Sequence, residues 1–251
     1  MKHPVVVQSM QLILAGDIEG AERALVAIAE DEGDHALVAV LDEMPPKDLL
    51  AVMREFDSSK ESIVNMVVTP EQFARAIVLE KKYGDRTGEK LRAMMNAVIH
   101  RESQTVSEYL DAIAELEGGY GTLADYFQDR FEEFIHFASE GSFSYEFDHE
   151  AYENVKSITL LAERLEELDE VLGFDDAIAS SKPRLARAEI ADGDWMETAW
   201  VLRYQLPDEF EQVLLMLRDR LQKLIDASLA AEMAPAAAGQ TSGSDAEESA
   251  I

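Results

Sequence analysis

The fold class follows from residues 155–172, which read VKSITLLAERLEELDEVL. Apolar side chains recur in this stretch at spacings of three and four residues, at Ile158, Leu161, Leu165, Leu168 and Leu172. An α-helix has 3.6 residues per turn, so this spacing places the five side chains on one helical face. Mostly polar and acidic residues fill the positions between them, which is typical of a helix that buries one face.

The same periodicity continues through most of the chain. A second long helix is predicted from about Asp208 to Leu229, with an apolar stripe at Phe210, Leu214, Leu217, Leu221 and Leu224. The β-branched runs at 5–7 and 67–68 are too short to build a sheet. We therefore predict an all-α protein made of stacked helical hairpins and a helical bundle. The two leucine stripes can pack against each other, which their similar length favours, or one can dock a partner helix.

Start signals divide the first part of the chain into short helices. Asp17 and Thr69 are candidate N-caps, and proline at Pro45 and Pro70 suits a first helical turn, where its missing N–H is not needed. Starts at Pro45, Ser58 and Pro70 lie 13 and 12 residues apart. Helices this short cannot bury a face alone, so we expect them to stack on their neighbours.

The run Gly118-Gly119-Tyr120-Gly121 is the predicted internal boundary, because glycine-rich turns separate helical segments. We predict an N-terminal block of short stacked helices over residues 1–117 and a C-terminal helical bundle over residues 118–229. One continuous helix is expected from about Thr122 to Ser139. Residues 230–251 are rich in Ala, Ser and Gly, which predicts a disordered tail.

Acidic residues dominate the charge: 51 Asp and Glu against 22 Lys and Arg give a formal net charge of −29. Such a field repels nucleic acid and anionic lipid, and it attracts basic partners or cations. The acidity has two interpretations. In the first, the carboxylates form an acidic binding face. In the second, they keep the protein hydrated in the cytosol of a salt-adapted host.

Several function classes lack their motifs in this sequence. Cysteine is absent, which excludes disulfides and cysteine-ligated metals. No phosphate-binding glycine loop, nucleophile elbow or zinc motif occurs. No apolar stretch approaches the roughly 18 residues of a membrane span, and the N-terminus does not resemble a signal peptide. We therefore expect a cytoplasmic protein without enzymatic activity, cofactor or membrane insertion.

Three Glu-x-x-His pairs are the candidate metal ligands, and they are Glu32/His35, Glu133/His136 and Glu146/His149. This spacing places both side chains on one helical face, as in carboxylate-bridged di-iron bundles. Such a site also needs two further glutamates in apolar faces, whereas the candidates Glu153 and Glu163 lie on polar faces. We assign no metal site, and a helical carboxylate-bridged metalloenzyme stays an alternative.

Aromatic residues beside carboxylates are the predicted partner-binding residues. They are Trp195 and Trp200 with Asp192 and Asp194, and Phe143, Tyr145 and Phe147 in the loop 141–148. Aromatic anchors near charged groups are typical of interface hot spots. Core packing is the alternative for the two tryptophans. The expected partner is a basic or amphipathic protein.

Residues 37–53, LVAVLDEMPPKDLLAVM, resemble one repeat of the N-terminal helical domain of MgtE-type magnesium transporters. The helical repeats of flagellar motor-switch proteins are similar, and the resemblance covers about residues 35–82. It implies a right-angled stack of short helices that binds another protein, and it also implies binding of divalent cations. The transporter's nucleotide-fold domains and membrane helices have no counterpart here, so transport is not implied.

Taken together, these patterns predict a non-enzymatic protein–protein interaction module with an acidic surface. An adaptor, a scaffold or a chaperone component of a larger assembly fits this description. The alternative within the same fold is a regulatory protein that responds to weakly bound divalent cations.

Added salt should raise the melting temperature, because counterions screen the mutual repulsion of the surface carboxylates. Scanning calorimetry between about 20 mM and about 500 mM NaCl measures the effect. An unchanged melting temperature would mean that specific ion pairs already neutralise the acidic groups.

Overall fold

A computed structural model describes residues 2–55, 62–83, 88–102, 104–143, 157–173 and 182–238. Every regular element in these ranges is helical and none is a strand, which confirms the predicted all-α class. The helices are α1 Pro4–Leu14, α2 Ile18–Glu32, α3 Asp34–Asp42, α4 Pro46–Glu55, α5 Ile63–Val67, α6 Pro70–Tyr83, α7 Gly88–Ile99, α8 Val106–Ala114, α9 Gly119–Tyr126, α10 Phe131–Glu140, α11 Ser157–Gly173, α12 Arg187–Ile190, α13 Trp195–Gln205 and α14 Pro207–Ala238. None of these described helices is long and apolar enough to cross a membrane.

Two N-caps predicted in the N-terminal block, Asp17 and Thr69, begin α2 and α6. The Asp17 carboxylate accepts a hydrogen bond from the Gly20 N–H at 2.8 Å. Thr69 and Gln72 form a reciprocal capping box, in which each side chain accepts from the other's backbone N–H at 3.0 and 3.3 Å. Ser62 caps α5, whereas the start predicted at Ser58 lies outside the described residues.

The single helix predicted from Thr122 to Ser139 is wrong, because the chain breaks between α9 and α10. A 3₁₀ turn at Gln128–Arg130 separates the two helices. The break lets the Phe127 and Phe134 rings stack with centroids 4.0 Å apart. In one continuous helix, Phe127 and Phe134 would instead lie seven residues apart, so their backbones would be about 10 Å apart along the axis. Aromatic packing in the core therefore overrides the local helical periodicity.

The glycine run is ordered rather than an open linker. Gly118 has φ +92°, and Gly119 begins α9 with its Cα against the Ile113 carbonyl, where a Cβ would lie 1.7 Å from that oxygen. One apolar core continues across this turn, from Leu110 in α8 to Leu123 in α9. The division into two domains at this point stays a prediction.

The two leucine stripes face each other, as the first interpretation expects. Helix α11 packs along α14 and α10, and Leu168, Leu214 and Leu217 are buried between them. Arg218 of α14 also pairs with Asp169 of α11. Helix α14 extends to Ala238, beyond the predicted end at Leu229, and residues 239–251 of the predicted tail lie outside the described residues.

Leu168→Ala should lower the free energy of unfolding by about 2–5 kcal/mol, because it leaves a cavity where the two stripes meet. Leu229→Ala is the matched control, since Leu229 lies on α14 and is exposed. Its effect should stay within about 0.5 kcal/mol. Urea titration followed by circular dichroism measures both, and equal effects would contradict the packing of the stripes.

Candidate functional site

The predicted partner-binding residues of the two regions meet in one aromatic cluster. Trp195 is only 7% exposed, and its ring meets the Phe143 ring edge-on with centroids 5.5 Å apart. Phe143 in turn stacks on Phe137 at 4.1 Å. Tyr145 and Phe147 lie outside the described residues. The structure therefore gives Trp195 a packing role, and its role in partner binding stays a prediction.

Trp200 is half-buried and tied to the segment before α12. Its indole N–H donates to the Leu185 carbonyl at 3.0 Å, and its ring lies 5.2 Å from that of Tyr204. The Arg203 guanidinium lies over the rings of Phe137 and Tyr204, at 5.2 and 5.5 Å from their centroids. Burial lowers the pKa of Arg203. These contacts fix α13 against α10.

A partly buried polar network, which sequence reasoning did not find, lies beside the start of α13. The Asp194 carboxylate accepts from the Asn96 amide at 2.7 Å, and the Asn96 carbonyl oxygen accepts from the Tyr126 hydroxyl at 2.6 Å. The Thr198 hydroxyl lies 3.0 Å from both the Tyr126 oxygen and His100 Nε2. The network joins α7, α9 and α13 through side chains.

Glu197 is the buried charge in this network, with 4% of its surface exposed. Its carboxylate accepts from Arg187 Nε at 2.9 Å and from the Gly193 N–H at 3.1 Å. His100 Nδ1 lies 3.4 Å from the same group. A buried carboxylate is costly unless it is paired, and Arg187 of α12 provides that pairing.

Burial sets the protonation of the network. It lowers the pKa of His100 from the ordinary value of 6.5, and this effect exceeds the opposing attraction of Glu197. It also raises the pKa of Tyr126 far above 10. At neutral pH, His100 and Tyr126 are therefore neutral, and the Arg187–Glu197 pair carries the buried charge.

A sequence signal for the network existed in α7. Arg92, Asn96 and His100 recur every four residues on one face, beside a face of Leu91, Met94, Met95 and Val98. A polar stripe of this kind on an otherwise apolar helix indicates a partner inside the fold. The partners lie up to 98 residues away, so the sequence could not identify them.

The candidate metal ligands do not converge within the described part of the chain. Glu133 pairs with Arg130 at 3.0 Å, and Glu32 and His35 are exposed. Glu146, His149 and Glu153 lie outside the described residues. Among the described side chains, no group of three His, Asp or Glu residues is placed to hold a metal ion.

Two surface features lie along α14. The first is a groove of about 270 Å³ between the 3₁₀ turn, α10, α11 and α14. Its apolar lining is Phe131, Leu161, Leu217, Leu221 and Leu224, and its charged lining is Asp129, Glu132, Glu133 and Arg220. We call it the α14 groove.

The second feature is an acidic surface around Tyr120 of α9. Partial burial raises the pKa of Tyr120, and the negative charges of Glu209, Asp111 and Asp208 raise it further. Asp208 and Glu209 lie in the first turn of α14, and Asp111 lies on α8. We call these four residues the Tyr120 patch.

Comparison with protein-family models, curated proteins and solved structures found no match. The similarity of residues 35–82 to the MgtE-type and motor-switch repeats therefore stays a hypothesis. The fold and the site geometry alone support the functional inferences below.

Acidification should destabilise the protein through His100. Its folded-state pKa lies below 6.5, so the unfolded chain takes up the proton first as the pH falls. The contribution is fully present above pH 6.5 and is lost as the pH falls through the folded-state pKa, by up to about 1.4 kcal/mol per pH unit.

Urea titrations between about pH 8 and pH 5 measure this loss. His100→Gln removes the titrating group, so its stability should fall less steeply than that of the wild type. His35→Gln, at an exposed histidine, is the control and should follow the wild-type profile. A His100→Gln profile parallel to the wild type would contradict the assignment.

Proposed function

We propose that this protein is a non-enzymatic protein–protein interaction module that binds a basic partner through its acidic surface. It would serve as an adaptor, a scaffold or a chaperone component within a larger assembly. The Tyr120 patch is the observation that carries the proposal, because it combines a partly exposed aromatic ring with three carboxylates whose charges raise the pKa of its hydroxyl.

The carboxylates of the patch differ from several others on the same surface. Asp125 pairs with Arg220 at 2.6 Å and Glu132 pairs with Arg164 at 2.5 Å. No described basic side chain forms an ion pair with Asp111, Asp208 or Glu209. The charge of these three groups therefore remains available to a partner.

A basic partner suits this arrangement on two physical grounds. Lysine or arginine beside Tyr120 gains attraction from the three carboxylates of the patch. The overall charge of −29 also accelerates encounter with a positive surface, and it disfavours nucleic acid. Rim charges of this kind act mainly on the association rate and its salt dependence.

Affinity capture from the native host with a charge-matched pair of variants tests the proposal. The patch variant carries Asp111→Asn, Asp208→Asn and Glu209→Gln. The control variant carries Glu30→Gln, Asp31→Asn and Glu32→Gln, which removes the same charge from exposed positions at the end of α2. The patch variant should melt slightly below the wild type, because Asp208 and Glu209 lie in the first turn of α14, and the control slightly above it, because its carboxylates lie in the last turn of α2. Both variants should remain folded at the temperature of the capture experiment.

We expect the wild type and the control to retain the same basic proteins at about 150 mM salt, and the patch variant to retain at least about tenfold less. Quantitative mass spectrometry of the retained proteins measures the ratio. Equal retention by all three proteins, or a retained partner that is acidic, would contradict the proposal.

A further inference from the structure

Residues 182–191, which include the short helix α12, lie against α13 and are held there by few contacts. We call these residues the strap. The Leu185 carbonyl accepts the indole N–H of Trp200, and Ile190 is the one buried residue of the strap. Arg187 is the strap's link to the polar network beside α13. A segment with so few buried contacts can open locally at a lower free energy than the whole fold.

The Glu197 carboxylate lies between two nitrogen groups that can both be positively charged. On one side, Arg187 Nη2 and Nε lie 2.8 and 2.9 Å from Oε1. On the other side, His100 Nδ1 lies 3.4 Å from Oε2. The side chains of His100 and Glu197 are only 6% and 5% exposed, so water screens their charges weakly. Protonation of His100 would place two cations on one buried carboxylate.

The charge on His100 and the position of the strap are therefore coupled. Burial lowers the pKa of His100, the Glu197 carboxylate raises it, and the positive charge of Arg187 lowers it. Coupling between two equilibria is reciprocal. Since the docked Arg187 disfavours a proton on His100, a proton on His100 disfavours the docked Arg187 by the same factor.

Other titratable groups of the described network surround His100 from three elements. They are Asp192 and Asp194 before α13, Arg92 of α7 and Tyr126 of α9. The two aspartates raise the pKa of His100. The Arg92 guanidinium is 3.9 Å from Asp194, and the neutral Tyr126 hydroxyl reaches the imidazole only through Thr198. When the strap leaves, the carboxylates that remain favour the proton.

From this geometry we propose that the strap stays closed while His100 is neutral and opens when His100 takes up a proton. Opening separates the Leu185 carbonyl from the indole of Trp200 and uncovers that half-buried ring. Trp200 is one of the predicted partner-binding residues, so acidification would control access to it. The inference goes beyond the proposed function, because it concerns α13 rather than the Tyr120 patch.

Spin labels on introduced cysteines measure the position of the strap, and this sequence contains no other cysteine. The strap pair carries Ala188→Cys on the strap and Lys223→Cys on α14. The body pair carries Glu108→Cys on α8 and Lys223→Cys, and all three positions are exposed. Pulsed EPR between about pH 7.5 and about pH 4.5 gives the distance distribution of each pair, and NMR of the unlabelled protein gives the titration of His100.

We expect the strap pair to gain a population at longer distances as the pH falls, with the same midpoint as the His100 titration. The body pair should keep its distribution, which separates strap opening from global unfolding. One proton changes the opening equilibrium by at most about tenfold per pH unit. His100→Gln should keep the strap closed throughout. His136→Gln is the matched control, because His136 lines a cleft with Arg184 of the strap, and it should open like the wild type.

Arg187→Gln and Arg184→Gln test the coupling in the opposite direction. Each removes one positive charge from the strap, but Arg184 is exposed and pairs loosely with Glu140 at 3.9 Å. We expect Arg187→Gln to strengthen the proton affinity of His100 at least about threefold, and Arg184→Gln to leave it unchanged. NMR titration of His100 in the two variants measures the difference.

Four outcomes would overturn the inference. They are a His100 titration without a change in the strap pair, strap opening with a different midpoint, no proton uptake by His100 above about pH 4.5, and equal His100 titrations in the two arginine variants. The spin-label comparison keeps every side chain of the network. It therefore decides the question even if Arg187→Gln does not fold.

Discussion

The buried pair of Glu197 with Arg187 is the interaction on which the arrangement of the C-terminal helices depends. The carboxylate is almost inaccessible to water, and the Arg187 guanidinium and the Gly193 N–H provide the hydrogen bonds that water would otherwise give it. Loss of one partner from such a pair costs about 3–5 kcal/mol, because the other charge stays buried without compensation. The pair thereby ties the short helix α12 and the turn before α13 to His100, the residue that follows α7.

The aromatic cluster follows from this constraint. With the start of α13 fixed, Trp195 points into the core against Phe143, and Arg203, about two helical turns further on, reaches Phe137. The polar network and the aromatic cluster thus lie on either side of one helix. This arrangement gives α13, which has a weak apolar stripe in its sequence, a specific orientation between α7 and α10.

Local chemistry made part of the fold predictable from the sequence. Periodicity located the long helices, and Asp17 and Thr69 marked helix starts because capping acts over three residues. The break near Phe127 was not predictable, because it depends on a ring contact formed only in the folded core. The candidate site was also unpredictable wherever it depends on contacts between distant parts of the chain. The acidic surface followed from composition, whereas the Tyr120 patch and the α14 groove join residues from helices distant in the chain.

The turn at Gly118 and Gly119 limits how this sequence can diverge. Any residue other than glycine at 119 brings a Cβ into the Ile113 carbonyl, and Gly118 holds a left-handed conformation that side chains disfavour. Both demands come from the backbone, so no compensating change in a neighbouring side chain relieves them. Surface carboxylates can be exchanged at little cost, whereas Gly119 cannot, and Gly118 can be exchanged only for a residue such as asparagine that adopts a left-handed conformation. Gly119 should therefore persist in distant relatives after the acidic surface has changed beyond recognition.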